Sequence, residues 1–246
     1  MAGTPAIPAA TLVTVRERPG EPPELLMVER AEGMAFAGGA LVFPGGRIDE
    51  TDRRMAPTAE SAAAVAAIRE TVEEAAVPVG LAPVPPADTC LELQRALLAG
   101  RSFETLLRHH GLELRLDALI PFARWVPKFH ATRRFDTLFL LARTPGPEWT
   151  PHVVEGECSG AFWISAAEAL RRESRGEARL IFPTRRNLER LAGHASFEEM
   201  RIDAEAHAIE PISPWVEQIE GENFITIPEG IGYPVTREKL DGLWRG

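Results

Sequence analysis

Between Arg69 and Val77 the chain reads Arg-Glu-Thr-Val-Glu-Glu-Ala-Ala-Val, and no other segment restricts the fold as much. In a helix, at about 100° per residue, Glu70, Glu73 and Glu74 share one side, while Val65, Ile68, Val72 and Ala76 form a stripe roughly opposite. The stripe demands a core. The carboxylates demand a counter-charge, because like charges at i, i+3 and i+4 repel by roughly 0.2–0.5 kcal/mol per pair. An alanine-rich helix with a solvated acidic face is the plain alternative, and the upstream turn argues against it. Phe43-Pro44-Gly45-Gly46 closes the apolar run 40–43, and glycines there permit positive φ and let backbone carbonyls approach a ligand. Strand, glycine turn, loop and acidic helix then form one candidate site for a hard divalent cation.

Composition limits the class. The 246 residues are 45% hydrophobic and 26% charged, enough for one elaborated globular domain. A net charge of −9 argues against broad binding to a nucleic-acid backbone, which needs a basic face. Cys90 and Cys158 are too few for a disulfide framework and are expected to be small packing residues. No apolar stretch approaches a membrane span, and neither the opening Met-Ala-Gly-Thr-Pro-Ala nor the closing Leu-Trp-Arg-Gly carries a secretory or peroxisomal address, so cytoplasmic residence and no membrane partner are expected.

Periodicity predicts strands over 10–18, 24–30 and 40–43, then the acidic helix over 61–77, stopped by Pro78. After a proline-rich link, two helices are predicted over 88–98 and 102–110, capped by Asp88 and Ser102 and stopped by Gly100 and Gly111. This pair reads as an insertion, either covering the pocket or building a homodimer interface. Further strands are predicted over 119–126, 135–142 and 161–164, with Lys128, His130, Arg133 and Arg134 in the polar connection. Ser165 opens a helix to about 172, Thr184 caps another, Ser196 and Glu199 cap a brief turn, and 209–212 pairs with 224–227. Tyr233, the only tyrosine, lies in a Gly/Pro loop, where packing competes with stacking on a purine.

The pattern resembles the Nudix box, G-x5-E-x7-R-E-U-x-E-E-x-G-U with U aliphatic, the signature of hydrolases that cut diphosphates linked to another moiety. Gly46 matches the opening glycine, and Arg69, Glu70, Glu73, Glu74 and Val77 match the second half. Asp52 stands in place of the first glutamate, about nine extra residues separate turn from helix, Thr71 stands at an aliphatic position and Ala76 replaces the closing glycine. The stretch 25–30 before the Phe-Pro-Gly-Gly turn, Trp125-Val126-Pro127, 133–137 and Trp163 are similar to the branch that contains the peroxisomal coenzyme A diphosphatase of mammals.

That resemblance implies a Nudix-type α/β/α sandwich with a mixed sheet over about 8–195, carrying a helical insertion at about 84–116 and a C-terminal extension over 196–246. It implies Mg²⁺ or Mn²⁺ held by Glu70, Glu73, Glu74 and the Gly46 carbonyl. Arg69, Glu73 and Glu74 are the implied catalytic residues, with Arg69 orienting a carboxylate. Glu157, ahead of Glu155, is the expected general base. Arg30, Phe43, Arg133 and Arg134 are the expected contacts to a small nucleotide or coenzyme substrate. Coenzyme A or an acyl-coenzyme A leads; ADP-ribose, dinucleotides and NADH are the alternatives within the chemistry, and a silent nucleotide-binding regulator is the alternative outside it.

Overall fold

The computed structural model describes residues 5–33, 37–127, 134–154, 156 and 158–240. Its first third runs β1 (Ile7–Arg16), β2 (Glu24–Arg30), β3 (Leu41–Val42), β4 (Gly45–Arg47), α1 (Glu50–Arg54) and α2 (Ala59–Ala75). The middle holds β5 (Leu81–Ala82), α3 (Ala87–Leu98), α4 (Phe103–His110), β6 (Glu113–Leu114), β7 (Ile120–Trp125) and β8 (Phe135–Arg143). The rest is β9 (Cys158–Ser165), α5 (Ala166–Ser174), α6 (Phe182–Leu191), α7 (Phe197–Glu205), β10 (Pro211–Ile212), β11 (Trp215–Ile219), β12 (Glu222–Thr226) and β13 (Arg237–Lys239).

Successive strand side chains point to opposite faces, and here both faces are covered. Ala10 and Leu12 of β1, Leu26 and Val28 of β2, and Leu140 and Ala142 of β8 pack with Val65, Ile68 and Val72 of α2 and with α3 and α4. The alternate residues Val13, Val15, Leu25, Met27, Phe139 and Leu141 pack with Leu188 of α6 and Met200 of α7. Two such faces make a three-layer α/β/α sandwich. Its mixed sheet runs β10-β7-β8-β1-β2-β3, with β4 also on β1 and β9 on β2. β1 lies parallel to β8 from Ile7↔Phe135 to Val15↔Arg143.

The other edge of β1 is shared, which opens the site. Near its end β1 pairs with β2 at Val15↔Leu25, and near its start with β4 at Ala10↔Gly46. Residues 45–47, expected as a turn, form a short strand lying beneath α2. Neither Gly45 nor Gly46 adopts positive φ, so their need is steric and not conformational. A Cβ on Gly45 would lie 2.5 Å from the Ala10 carbonyl oxygen and 2.7 Å from Thr11 Cα.

Helix α2 begins at a reciprocal box in which Thr58 and Ser61 side chains accept from each other's backbone N–H. It ends at Ala76, which takes the left-handed conformation at φ 54°, the C-terminal position that a glycine usually fills. Although its three carboxylates share the side away from the apolar stripe, they are not all exposed, and Glu74 is buried. A neighbouring helix, α3, packs against α2, so little of α2 faces solvent.

Several expected boundaries also shift. Pro86, not Asp88, caps α3, while Ser102 caps α4 as expected, accepting from Thr105 N. Ile181 caps α6, placing Thr184 inside the helix, where Pro183 fits the first turn. Ser196 opens a nine-residue helix and not a brief turn. The 209–212 and 224–227 segments do not pair. β10 joins the main sheet beside β7, and β12 sits between β11 and β13. A strand's partner depends on distant residues, so local alternation cannot identify it.

Candidate active site

Arg69 organises the acidic helix. Its Nε and Nη2 donate to the two oxygens of Asp52 at 2.9 and 3.0 Å, a bidentate pair with a fully buried carboxylate. Nη1 donates to Glu70 at 2.8 Å and Glu73 at 3.4 Å, and Nη2 also reaches the Arg47 carbonyl. Burial opposes the guanidinium's charge, but the pair with Asp52 and the nearby Glu70 outweigh it and raise the pKa. The residues between the glycine turn and α2 are thereby explained, because α1 carries Asp52 back under Arg69. Asp52 further accepts from Asp49 N at 2.9 Å, which fixes the start of α1.

The three carboxylates are not equivalent. Glu74 accepts from Gly45 N at 3.0 Å, locking the helix to the glycine strand. Glu70 lies against Gly46, where a Cβ would come within 2.5 Å of Glu70 Cδ. Burial pushes the Glu70 carboxyl up to about 7; Arg69 works against this and Glu73 adds to it. Among the described residues no group of three His, Cys, Asp or Glu side chains is gathered to hold an ion as placed, since Glu70 and Glu73 lean on Arg69. The donor set nevertheless suits a hard divalent cation: three carboxylates face one cavity, and one of them is raised in pKa by burial and a like charge.

That cavity, about 900 Å³, unites residues far apart in sequence. The carboxylates and Arg69 form one side, and Thr11, Phe135, Thr137 and Phe139 rise from the sheet. The first turn of α6 and the α3–α4 corner at Gly100, Arg101 and Ser102 supply further wall. Expected substrate contacts Arg30, Phe43 and Arg134 all line it, with Phe43 set edge-on to Phe139. Arg133, Lys128, His130, Glu155 and Glu157 lie outside the described residues. Tyr233 is absent from the lining; its hydroxyl donates to Asn187 at 2.7 Å and accepts from Trp125 at 3.1 Å in the core. Cys90 and Cys158 are both buried and pack within the protein.

Two arginines of the cavity were not singled out from the sequence, Arg47 and Arg101. Both are exposed, and neither makes an ion pair among the described residues. Arg101 follows Gly100, whose φ of 75° turns the chain between α3 and α4. Of the two roles open to this helix pair, covering the pocket or building a homodimer interface, the first was the available signal, but nothing local showed which end faced the site.

The same architecture occurs in known proteins. The solved structure of a NUDIX hydrolase from Alicyclobacillus acidocaldarius matches with a TM-score of 0.71 and 30% identity, covering 85% of this chain and 100% of that one. The acyl-coenzyme A diphosphatase NUDT19 of Homo sapiens is 26% identical over 261 residues, which span 82% of this chain and 69% of that protein. No protein-family profile matches the chain. The chain belongs to the Nudix hydrolases. It is a diphosphatase of that family, similar in sequence to the human acyl-coenzyme A enzyme.

Two outcomes follow from the packing. Gly46→Ala places a methyl against Glu70 and is expected to lower diphosphate hydrolysis at least tenfold with an unchanged far-UV circular dichroism spectrum. Asp52→Ala leaves Arg69 buried without its bidentate partner, and urea unfolding should show a loss of about 3 kcal/mol.

Proposed function

We propose that the chain hydrolyses the diphosphate bond of coenzyme A or an acyl-coenzyme A, giving 3′,5′-ADP and the corresponding 4′-phosphopantetheine. The observation that carries this is the cavity itself, with carboxylates on one side and Arg30, Arg47, Arg101 and Arg134 among its walls. An anionic nucleotide approaches acidic groups only through cations, and a cavity of this size suits a nucleotide-sized ligand. Phe43, Phe135, Phe139 and Phe182 add apolar surface for a base or a pantetheine arm. The human relative named above acts on acyl-coenzyme A, which supports the same substrate class here.

Glu70, Glu73 and Glu74, with the Gly46 carbonyl, would hold Mg²⁺ or Mn²⁺. Such an ion, when bound, neutralises charge on the phosphoryl oxygens and lowers the pKa of water. The chain's own residues do the rest. Arg69, anchored by Asp52, sets the rotamers of Glu70 and Glu73, and the Gly45 N–H holds Glu74. Arg30, Arg134 and Arg133 are the proposed phosphate contacts, and Glu157 the proposed base that takes a proton from the attacking water. Hydrolysis splits the P–O–P bridge: one phosphorus gains the water oxygen and the other keeps the bridging oxygen. Residues 8–195 form the proposed catalytic domain, with the 84–116 insertion contributing to its cavity.

The decisive assay compares coenzyme A, ADP-ribose and NADH with Mg²⁺, with Mn²⁺ and with EDTA, products being resolved by chromatography. Release of 3′,5′-ADP with either metal, abolished by EDTA, is expected; preferential cleavage of another substrate would replace coenzyme A in the assignment. Glu73→Gln and Glu74→Gln should each lower kcat at least tenfold with the fold intact, and near-native turnover in both would remove these residues from catalysis. Arg101, at the cavity wall, is the proposed contact to the 3′-phosphate, and Arg101→Ala is expected to raise KM for coenzyme A about tenfold, the loss of one charge-assisted contact. KM for dephospho-coenzyme A, which lacks the 3′-phosphate, should stay within twofold.

A further inference from the structure

Gln94 lies in α3, outside the matched box, and is fully buried. Its Nε2 donates to the Glu73 carbonyl at 3.1 Å and to the His152 carbonyl at 2.7 Å. Its Oε1 lies 2.8 Å from His152 Nδ1. The two carbonyls take both amide hydrogens, so the oxygen must face the imidazole and His152 Nδ1 must carry the hydrogen that it donates. His152 N in turn donates to the Ala75 carbonyl at 2.9 Å. One side chain therefore joins the insertion, the last turn of the carboxylate helix and the segment that leads toward residues 155 and 157.

The place of this junction matters. The last carbonyls of a helix have no partner within the helix, and here two of them, from Glu73 and Ala75, are satisfied by residues 94 and 152. Ala76 leaves α2 in a left-handed conformation, which is sterically unfavourable for a residue with a Cβ. External partners hold the turn there. That turn carries Glu73 and Glu74.

We infer that Gln94 is a positioning residue, through which the helical insertion sets the placement of Glu73 and Glu74 in the site. This rests on the proposed role of those carboxylates. The insertion is then part of the catalytic scaffold as well as a wall of the cavity. Any substitution that removes the two donations leaves the Glu73 and His152 carbonyls without their donor and lets the last turn of α2 shift, while the proposed phosphate contacts Arg30 and Arg134 lie outside α2 and α3.

The test uses the full chain with Gln94→Glu, Gln94→Leu, Glu73→Gln and Leu107→Ala. Gln94→Glu keeps the size but cannot donate to the carbonyls when ionised. Leu107→Ala softens the insertion at a buried position away from the cavity. Both Gln94 variants are expected to lower kcat for coenzyme A about tenfold with KM within twofold. They should also raise the midpoint of Mn²⁺ binding at least threefold, read from the electron paramagnetic resonance signal of free Mn²⁺ without substrate. Leu107→Ala, with its melting temperature lowered to a similar extent, should keep wild-type kcat and midpoint. Wild-type values in both Gln94 variants beside an impaired Glu73→Gln would overturn the inference alone, as would equal losses in Leu107→Ala. Unimpaired Mn²⁺ binding and turnover in Glu73→Gln would instead remove the reading beneath it.

Discussion

The site depends on one buried ion pair. Arg69 and Asp52 are both withdrawn from solvent, and a charge in that position persists only when its partner is close and its remaining hydrogen-bonding groups are used. Arg69 meets that condition by contacting Asp52, Glu70, Glu73 and the Arg47 carbonyl. A single guanidinium thereby fixes α1, β4 and α2 relative to one another. Lysine has neither the planar fork nor the reach to replace it.

Around this pair the carboxylate helix is held from both sides. The Gly45 N–H holds Glu74 on the sheet side, and Gln94 holds the last turn from the insertion. The absent side chain on Gly46 allows strand and helix to approach so closely, and that on Gly45 lets the strand lie against β1. The closeness has an electrostatic consequence: it desolvates Glu70 and raises its carboxyl to about 7, a strain that bound cationic charge would relieve.

The cavity joins this acidic side to a basic and aromatic one contributed by β2, β4, β8, α6 and the α3–α4 corner. Such a division suits a substrate whose phosphates and base demand different surroundings, and it explains how a chain of net charge −9 can accommodate a polyanion.

The box carboxylates, Arg69, Gly46 and the apolar stripe of α2 were legible in the sequence because they act through one helix's period and one turn. Arg30, Phe43 and Arg134 were legible as candidates through their flanking motifs. The three-layer sandwich was legible through the resemblance and the mixture of strand and helix periods. Other features were not. The partner of Arg69, the contribution of Arg101, the clamp made by Gln94 and the pairing of β10 with β7 join residues 17 to 87 positions apart. Nothing in local pattern ranks such pairs, since the free energy that selects them comes from burial and hydrogen bonding after the layers have packed. The sequence alone determined which chemistry could be assembled, namely carboxylates on a helix behind a glycine turn. Only the tertiary structure decided what anchors Arg69, which arginines face the cavity and what holds the helix end, because each depends on the distance between segments and not on their order.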